Sequence, residues 1–200
     1  MNKLPVFKLR IKKDDSSAQA VEYVALVDNP AIEMDWMAFN KQYKFHEDKE
    51  RRMIMGALMV ADMPIYRSGP LPGTDQGDGY YVVFDKETIY DIVQKFFRNG
   101  YASNFNIMHD NNQRLEGVYI IESMMVDTSR GVVAPKHFDG ISDGSWIVTA
   151  KIDNEQVWNE YIKTGKLKGF SVEGIFSPEY YTSEDEKILE TIAEIVKGEN

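Results

Sequence analysis

The chain contains no cysteine, which excludes disulfides, thiolate metal sites and a cysteine nucleophile. Histidine is scarce as well. With three of them, a zinc site would have to lean on carboxylates, and no metal is expected. Long apolar runs are missing: Tyr80-Tyr81-Val82-Val83-Phe84 and Val118-Tyr119-Ile120-Ile121 are far too short to span a bilayer. The opening Met1-Asn2-Lys3-Leu4-Pro5-Val6 holds no apolar stretch of signal-peptide length. No membrane association is expected, and a cytosolic setting fits. Basic residues are the minority, 23 Lys and Arg against 32 Asp and Glu, for a net charge of −9. Such a surface repels phosphate backbones, so no nucleic acid is expected as a ligand. A basic partner or substrate segment is easier to accept on electrostatic grounds.

What is present is ordinary globular material, 43% hydrophobic and 28% charged. The length suits one domain, or one domain with extensions; we take residues 1–200 as a single domain, with the core at about 21–176 where the family-like pieces described below lie. Three helices carry their own start and stop signals. Asp85 caps the first, Ile89, Ile92, Val93, Phe96 and Phe97 recur at helical spacing, and Gly100 ends it. Asp153-Asn154-Glu155-Gln156 opens the second, with Val157, Trp158, Tyr161 and Ile162 on one face and Gly165 as the stop. Ser183-Glu184-Asp185-Glu186 opens a third over about 183–197. Strands are expected at 6–11, 21–27, 53–60, 80–84, 104–108, 117–126, 146–152 and 170–176. Eight strands with three helices favour a β-barrel or a sandwich with helices packed around it, an α+β fold that we take as a small, mostly antiparallel β-barrel surrounded by about three helices. Residues 68–79 form a Gly/Pro-rich loop expected to be mobile or to wrap an edge. The mixed stretch 34–50 reads either as a helix or as an arm that orders against a partner.

Two side chains stand out of place. Ser171 lies within Lys168-Gly169-Phe170-Ser171-Val172-Glu173-Gly174, and His109 closes Asn106-Ile107-Met108-His109-Asp110. Each puts a chemically capable group into an apolar strand that has no packing reason to want it. A serine beside a histidine is the minimum equipment for nucleophilic acyl transfer. The bland alternatives are a hydrogen-bonded strand serine and a satisfied structural histidine. The glycines sit two before and three after Ser171, so this is not the Gly-x-Ser-x-Gly elbow. Glycines there let backbone come close to a ligand. His46 and His137 have no spacing that would join His109 in a metal site. For a third, orienting member the candidates are Glu22, Glu122 and Glu173. Glu22 opens a strand, Glu122 sits among Ile120, Ile121, Met124 and Met125, and Glu173 shares a strand face with Ser171.

These pieces resemble a family, the prohead (capsid-maturation) serine proteases of tailed phages in their XkdF-like branch, and are remotely similar to herpesvirus assemblin. The matching stretches are Val24-Ala25-Leu26-Val27-Asp28-Asn29-Pro30-Ala31, Pro64-Ile65-Tyr66-Arg67, Tyr80-Tyr81-Val82-Val83-Phe84 and Asn104-Phe105-Asn106-Ile107-Met108-His109-Asp110. They continue with Gly117-Val118-Tyr119-Ile120-Ile121-Glu122-Ser123, Ser145-Trp146-Ile147-Val148 and the Gly165-to-Gly174 segment. The resemblance implies a serine endopeptidase with Ser171 as nucleophile and His109 as general base, and no cofactor. It further implies phage scaffold and major capsid protein as partners, self-cleavage, homo-oligomerisation, and action inside the assembling prohead in the host cytoplasm. With no long coiled extension here, the scaffold is expected to be a separate protein. One departure stands out. The commoner phage proteases carry an acidic residue before a Val-Ser-Leu-Val-x-x-Pro-Ala strand near the C-terminus. Here the matching strand lies at the N-terminus and the equivalent position is Tyr23, with Glu22 beside it. A carboxylate from the three candidates, Glu22 through a local bulge among them, or a Ser-His dyad, would fill the gap. The rival reading is a catalytically inactive protease fold serving as a structural or scaffolding component of the capsid.

Overall fold

The computed structural model describes residues 4–12, 20–28 and 44–180. Its twelve strands are β1 (Val6–Arg10), β2 (Val21–Val27), β3 (His46–Asp48), β4 (Met53–Met59), β5 (Ile65–Ser68), β6 (Gly79–Val83), β7 (Phe105–Ile107), β8 (Asp110–Leu115), β9 (Val118–Met125), β10 (Trp146–Ile152), β11 (Gly169–Gly174) and β12 (Ser177–Tyr180). They form three four-stranded sheets, in the orders β12-β1-β6-β5, β3-β4-β10-β9 and β11-β2-β7-β8. The pairs β1·β6 and β2·β7 are parallel and the others antiparallel.

This overturns the expected barrel ringed by three helices. The sheets stay separate and none closes on itself. Among the described residues the α-helices are α1 (Lys86–Arg98) and the short α2 (Glu155–Val157), which continues as a π-turn over Trp158–Ile162, and three single 3-10 turns lie at Tyr101–Ser103, Thr128–Arg130 and Lys136–Phe138. The expected helix at 183–197 lies outside the described residues. The reason for the miss is physical: alternation identifies a strand but says nothing about which edge it pairs with. The strands absent from the sequence reading are β3, β5, β8 and β12, all short or polar and all at sheet edges, where solvated ladders need no apolar face. The loop 68–79 is the end of the β5–β6 hairpin, zipped by Gly69 N–H to the Asp78 carbonyl at 3.3 Å and Leu71 N–H to the Gln76 carbonyl at 2.8 Å.

β10 explains how the layers meet. Trp146, Val148, Ala150 and Ile152 point to the main core, while Ile147 points the other way with Ala57, Val60, Val126, Phe138 and Ile141. The strand is therefore apolar on both sides at its Trp146–Val148 end, as for a strand covered on two sides, and its second face turns polar at Thr149 and Lys151. The 128–144 connection supplies the second cover through Phe138 and Ile141. On the main side, α1 docks through Ile89, Ile92 and Phe96, whose ring meets Trp146 edge-on at 5.3 Å. Asp85 caps α1 by accepting from Thr88 N–H at 2.9 Å, and its carboxylate pairs with Arg10 at 2.6 Å. Burial alone would raise the Asp85 pKa. The Thr88 hydrogen bonds and the Arg10 and Lys8 charges outweigh it and hold the group below its ordinary value.

The sheet β11-β2-β7-β8 packs on β4 at a close approach. A side chain at Gly56 would lie 2.8 Å from the Phe170 ring, so the bare backbone there lets Phe170 seat between Phe45 and the main core. This contact brings β11 and its serine to the seam between sheets.

Candidate active site

β11 lies antiparallel to β2, and β2 lies parallel to β7, with Ser171 opposite Ala25 and Ala25 opposite Asn106. Side chains in register across neighbouring strands share a face. Ser171, Ala25 and Asn106 therefore form one row, with Glu173 and Tyr23 in the next row on the same side. Phe170, Val24, Leu26, Phe105 and Ile107 take the opposite face into the core. Ser171 is 4% exposed and Asn106 fully buried.

His109 arrives by an unusual turn. β7 ends at Ile107 and β8 begins at Asp110, with Ile107 and Asp110 in register, so Met108 and His109 are the two tip residues of a tight hairpin. Both have positive φ, 52° and 59°. That is the signature of a primed hairpin turn, which normally takes Asn and Gly. The expected strand at 104–108 therefore stops one residue early, at Ile107, and β8 begins at Asp110. The tip is tied down: Met108 N–H donates to the Leu26 carbonyl at 3.0 Å, and Asp28 N–H donates to Met108 Sδ at 3.4 Å.

A non-glycine residue held at positive φ costs on the order of 1 kcal/mol or more and persists where its surroundings over-determine it. Met108→Gly is accordingly expected to stabilise the fold by about 1 kcal/mol, less the lost thioether contact. A urea melt checks this, and a lowered midpoint would contradict it.

The hairpin tip carries His109 to Glu173. Nδ1 of His109 is 3.6 Å from Glu173 Oε2, an ion-pair separation longer than a hydrogen bond, and the same oxygen accepts from Asn106 Nδ2 at 2.8 Å. Glu173 is 28% exposed and His109 40%. With a carboxylate at Nδ1, the proton of a neutral imidazole is favoured there, leaving Nε2 with the lone pair. Ser171, His109 and Glu173 all line one pocket of about 360 Å³, walled by apolar side chains from β1, β4, β5 and β11 and by Phe84 and Phe176 just beyond β6 and β11, with Arg67 of β5 also on its lining. Among the described residues, Ser171 Oγ makes no hydrogen bond.

The other two acidic candidates sit elsewhere. β2 does bulge at Glu22, because Glu173 faces Tyr23 while Gly174 faces Val21, yet Glu22 is exposed and only its carbonyl is engaged, by Asn104 Nδ2 at 3.0 Å. Glu122 is exposed on β9, opposite Thr149 in another sheet. Tyr23 is covered by the Arg114 guanidinium, 5.0 Å from its ring centre. Gly174 is bare because a side chain would strike the Ala20 carbonyl and lie 2.9 Å from Val21 Cα, so its close approach is to the chain at the start of β2. Sequence reasoning missed Asn106. The signal was there in Phe105-Asn106-Ile107, an amide in the middle of an apolar strand, the same oddity that drew attention to its neighbour His109. Its Oδ1 is buried without a partner, so the amide is held chiefly by its bond to Glu173. Among the described residues no three His, Asp or Glu side chains gather as a metal-binding group.

Comparison with known families gives one match. The model of the family described as "Putative phage serine protease XkdF" covers residues 42–179, more than half of the chain. The chain belongs to this family. No curated protein and no solved structure matches it, so the remote likeness to assemblin stands on the sequence pieces alone. The XkdF-family match spans both His109 and Ser171, and begins after β2.

Proposed function

We propose that this XkdF-family chain is a serine endopeptidase in which Ser171 is the nucleophile, His109 the general base and Glu173 the group that orients His109. The observation that carries this reading is the convergence of the three on one pocket, with Glu173 at the Nδ1 side of the imidazole. Ser171 Oγ attacks the scissile carbonyl carbon as His109 Nε2 takes its proton. The C–N bond then breaks as the imidazolium returns that proton to the leaving amine, and water repeats the cycle on the acyl-enzyme. Contacts between nucleophile and base are commonly loose before substrate arrives, so an unbonded Oγ in the free protein is compatible with this role. β11 ends its sheet, and among the described residues no strand pairs with its outer edge. An extended peptide laid there would meet main-chain donors and acceptors beside Ser171.

The substrates in this reading are phage scaffold and major capsid protein, cut inside the assembling prohead in the host cytoplasm, together with self-cleavage. A fluorophosphonate probe followed by peptide mapping tests the chemistry. The expected result is one adduct, on Ser171. An unlabelled protein that still assembles into capsids would instead favour the inactive structural role.

A further inference from the structure

One charged group in the pocket has no part in this chemistry. Arg67 lies on β5, the edge strand of its sheet, across from Tyr80. It lines the same pocket as Ser171, and no carboxylate among the described residues lies within ion-pair reach of it. Glu173, the acidic residue on the lining, is engaged by His109 and Asn106. An unpaired guanidinium is unexpected on a chain of net charge −9, where carboxylates outnumber cations. Its side chain is exposed in area, so it stays ionised. Enclosing protein nonetheless strips part of its hydration and pulls its pKa below the ordinary value. The rest of the lining is apolar, with Leu9, Leu58, Ile65, Phe84 and Phe176 around it. A pocket of this make-up, apolar walls with a few polar groups, holds an apolar body and sets its orientation through those groups, of which Arg67 is the cation with no carboxylate partner among the described residues. Guanidinium geometry matches a carboxylate in two-pronged fashion, and partial desolvation strengthens that pairing.

We propose that Arg67 is a specificity-determining residue that receives a carboxylate on the peptide segment entering the pocket, while the apolar walls take a neighbouring hydrophobic side chain. The proposal rests on the peptide-binding part of the reading above and names its substrate class: segments pairing an aliphatic or aromatic residue with an acidic one. The carboxylate belongs either to an Asp or Glu side chain or to a free chain end, and one experiment separates them.

Ser171→Ala protein is immobilised and offered three pools of decapeptides, random except for a central Leu-Glu, Leu-Gln or Leu-Lys. Each pool is supplied with amidated and with free C-termini, and retention is read by mass spectrometry. The expected result is roughly tenfold greater retention of Leu-Glu over Leu-Gln among amidated peptides, with Leu-Lys weakest. Adding Arg67→Gln should bring Leu-Glu and Leu-Gln to parity, and Arg67→Glu should move preference to Leu-Lys. A preference for free over amidated C-termini, equal in all pools and lost in Arg67→Gln, would keep Arg67 as the carboxylate receptor and identify the chain end as its ligand. Parity in the parent, preference that survives Arg67→Gln, or no retention of any pool would overturn the proposal. Arg67 is exposed, so these variants should fold, and a thermal melt verifies it. Because cleavage plays no part in this readout, a negative result here and a negative phosphonate result are told apart.

Discussion

Ser171→Ala and His109→Ala are each expected to lower kcat by about ten-thousand-fold or more, and the double variant is expected to be no slower than either alone. Removing the nucleophile leaves the imidazole nothing to activate. Removing the imidazole leaves a hydroxyl with an ordinary high pKa, which is a poor nucleophile at neutral pH. The two losses are one loss, so they do not add. A structural role for the same residues would give a different pattern. Ser171 is small and buried, and His109 is 40% exposed on a hairpin tip, so two independent packing defects would add in stability and barely touch each other. Single-turnover rates on a cleaved peptide, with urea melts of the same four proteins, check this. Additive rate losses would contradict a shared machinery.

Glu173→Gln is the second large effect, a fall in kcat of about a hundred- to ten-thousand-fold with KM little changed. The side chains are nearly isosteric, so Asn106 keeps an oxygen to donate to. What changes is the partner of Nδ1. With its oxygen held by Asn106, the amide presents that same oxygen to Nδ1 but without the negative charge that stabilises the imidazolium formed as His109 takes the Ser171 proton. In the proposed mechanism Glu173 acts through His109 as a positioning residue, so the distinguishing readout is the split between kcat and KM, with melting temperature held nearly constant. A large loss of stability with kcat intact would make Glu173 a structural bridge between β11 and β7 and nothing more.

Why these three residues were unequally legible follows from what a strand pattern contains. Ser171 and His109 announce themselves because a hydroxyl and an imidazole interrupt apolar runs, and that interruption is local. The acid is not local. Glu22, Glu122 and Glu173 look alike until the register Glu173↔Tyr23 and the Met108–His109 turn place one carboxylate at Nδ1. The turn itself was hidden, because Met is a poor residue for positive φ and tertiary anchoring to Leu26 and Asp28 overrode propensity. β2 and β10 were read to the residue, since both are mostly apolar segments rich in β-branched and aromatic residues. The barrel failed because strand pairing is decided by partners distant in sequence, as β1 shows by joining β12 on one side and β6 on the other. β8, Asp-Asn-Asn-Gln-Arg-Leu, has a composition that reads as a turn and becomes a strand only because β7 templates it.

The measurement that bears most directly on the central claim is the intact mass of every chain produced when wild type, or Ser171→Ala, is co-expressed with the scaffold and major capsid proteins of its phage. The expected result is discrete truncated masses in the wild-type sample, each explained by one peptide-bond cut, and full-length chains throughout in the Ser171→Ala sample. Identical uncut masses in both, with capsids still forming, would contradict it and make the chain a structural member of the shell. Identical cuts in both would contradict it as well, by assigning the cleavage to another protease.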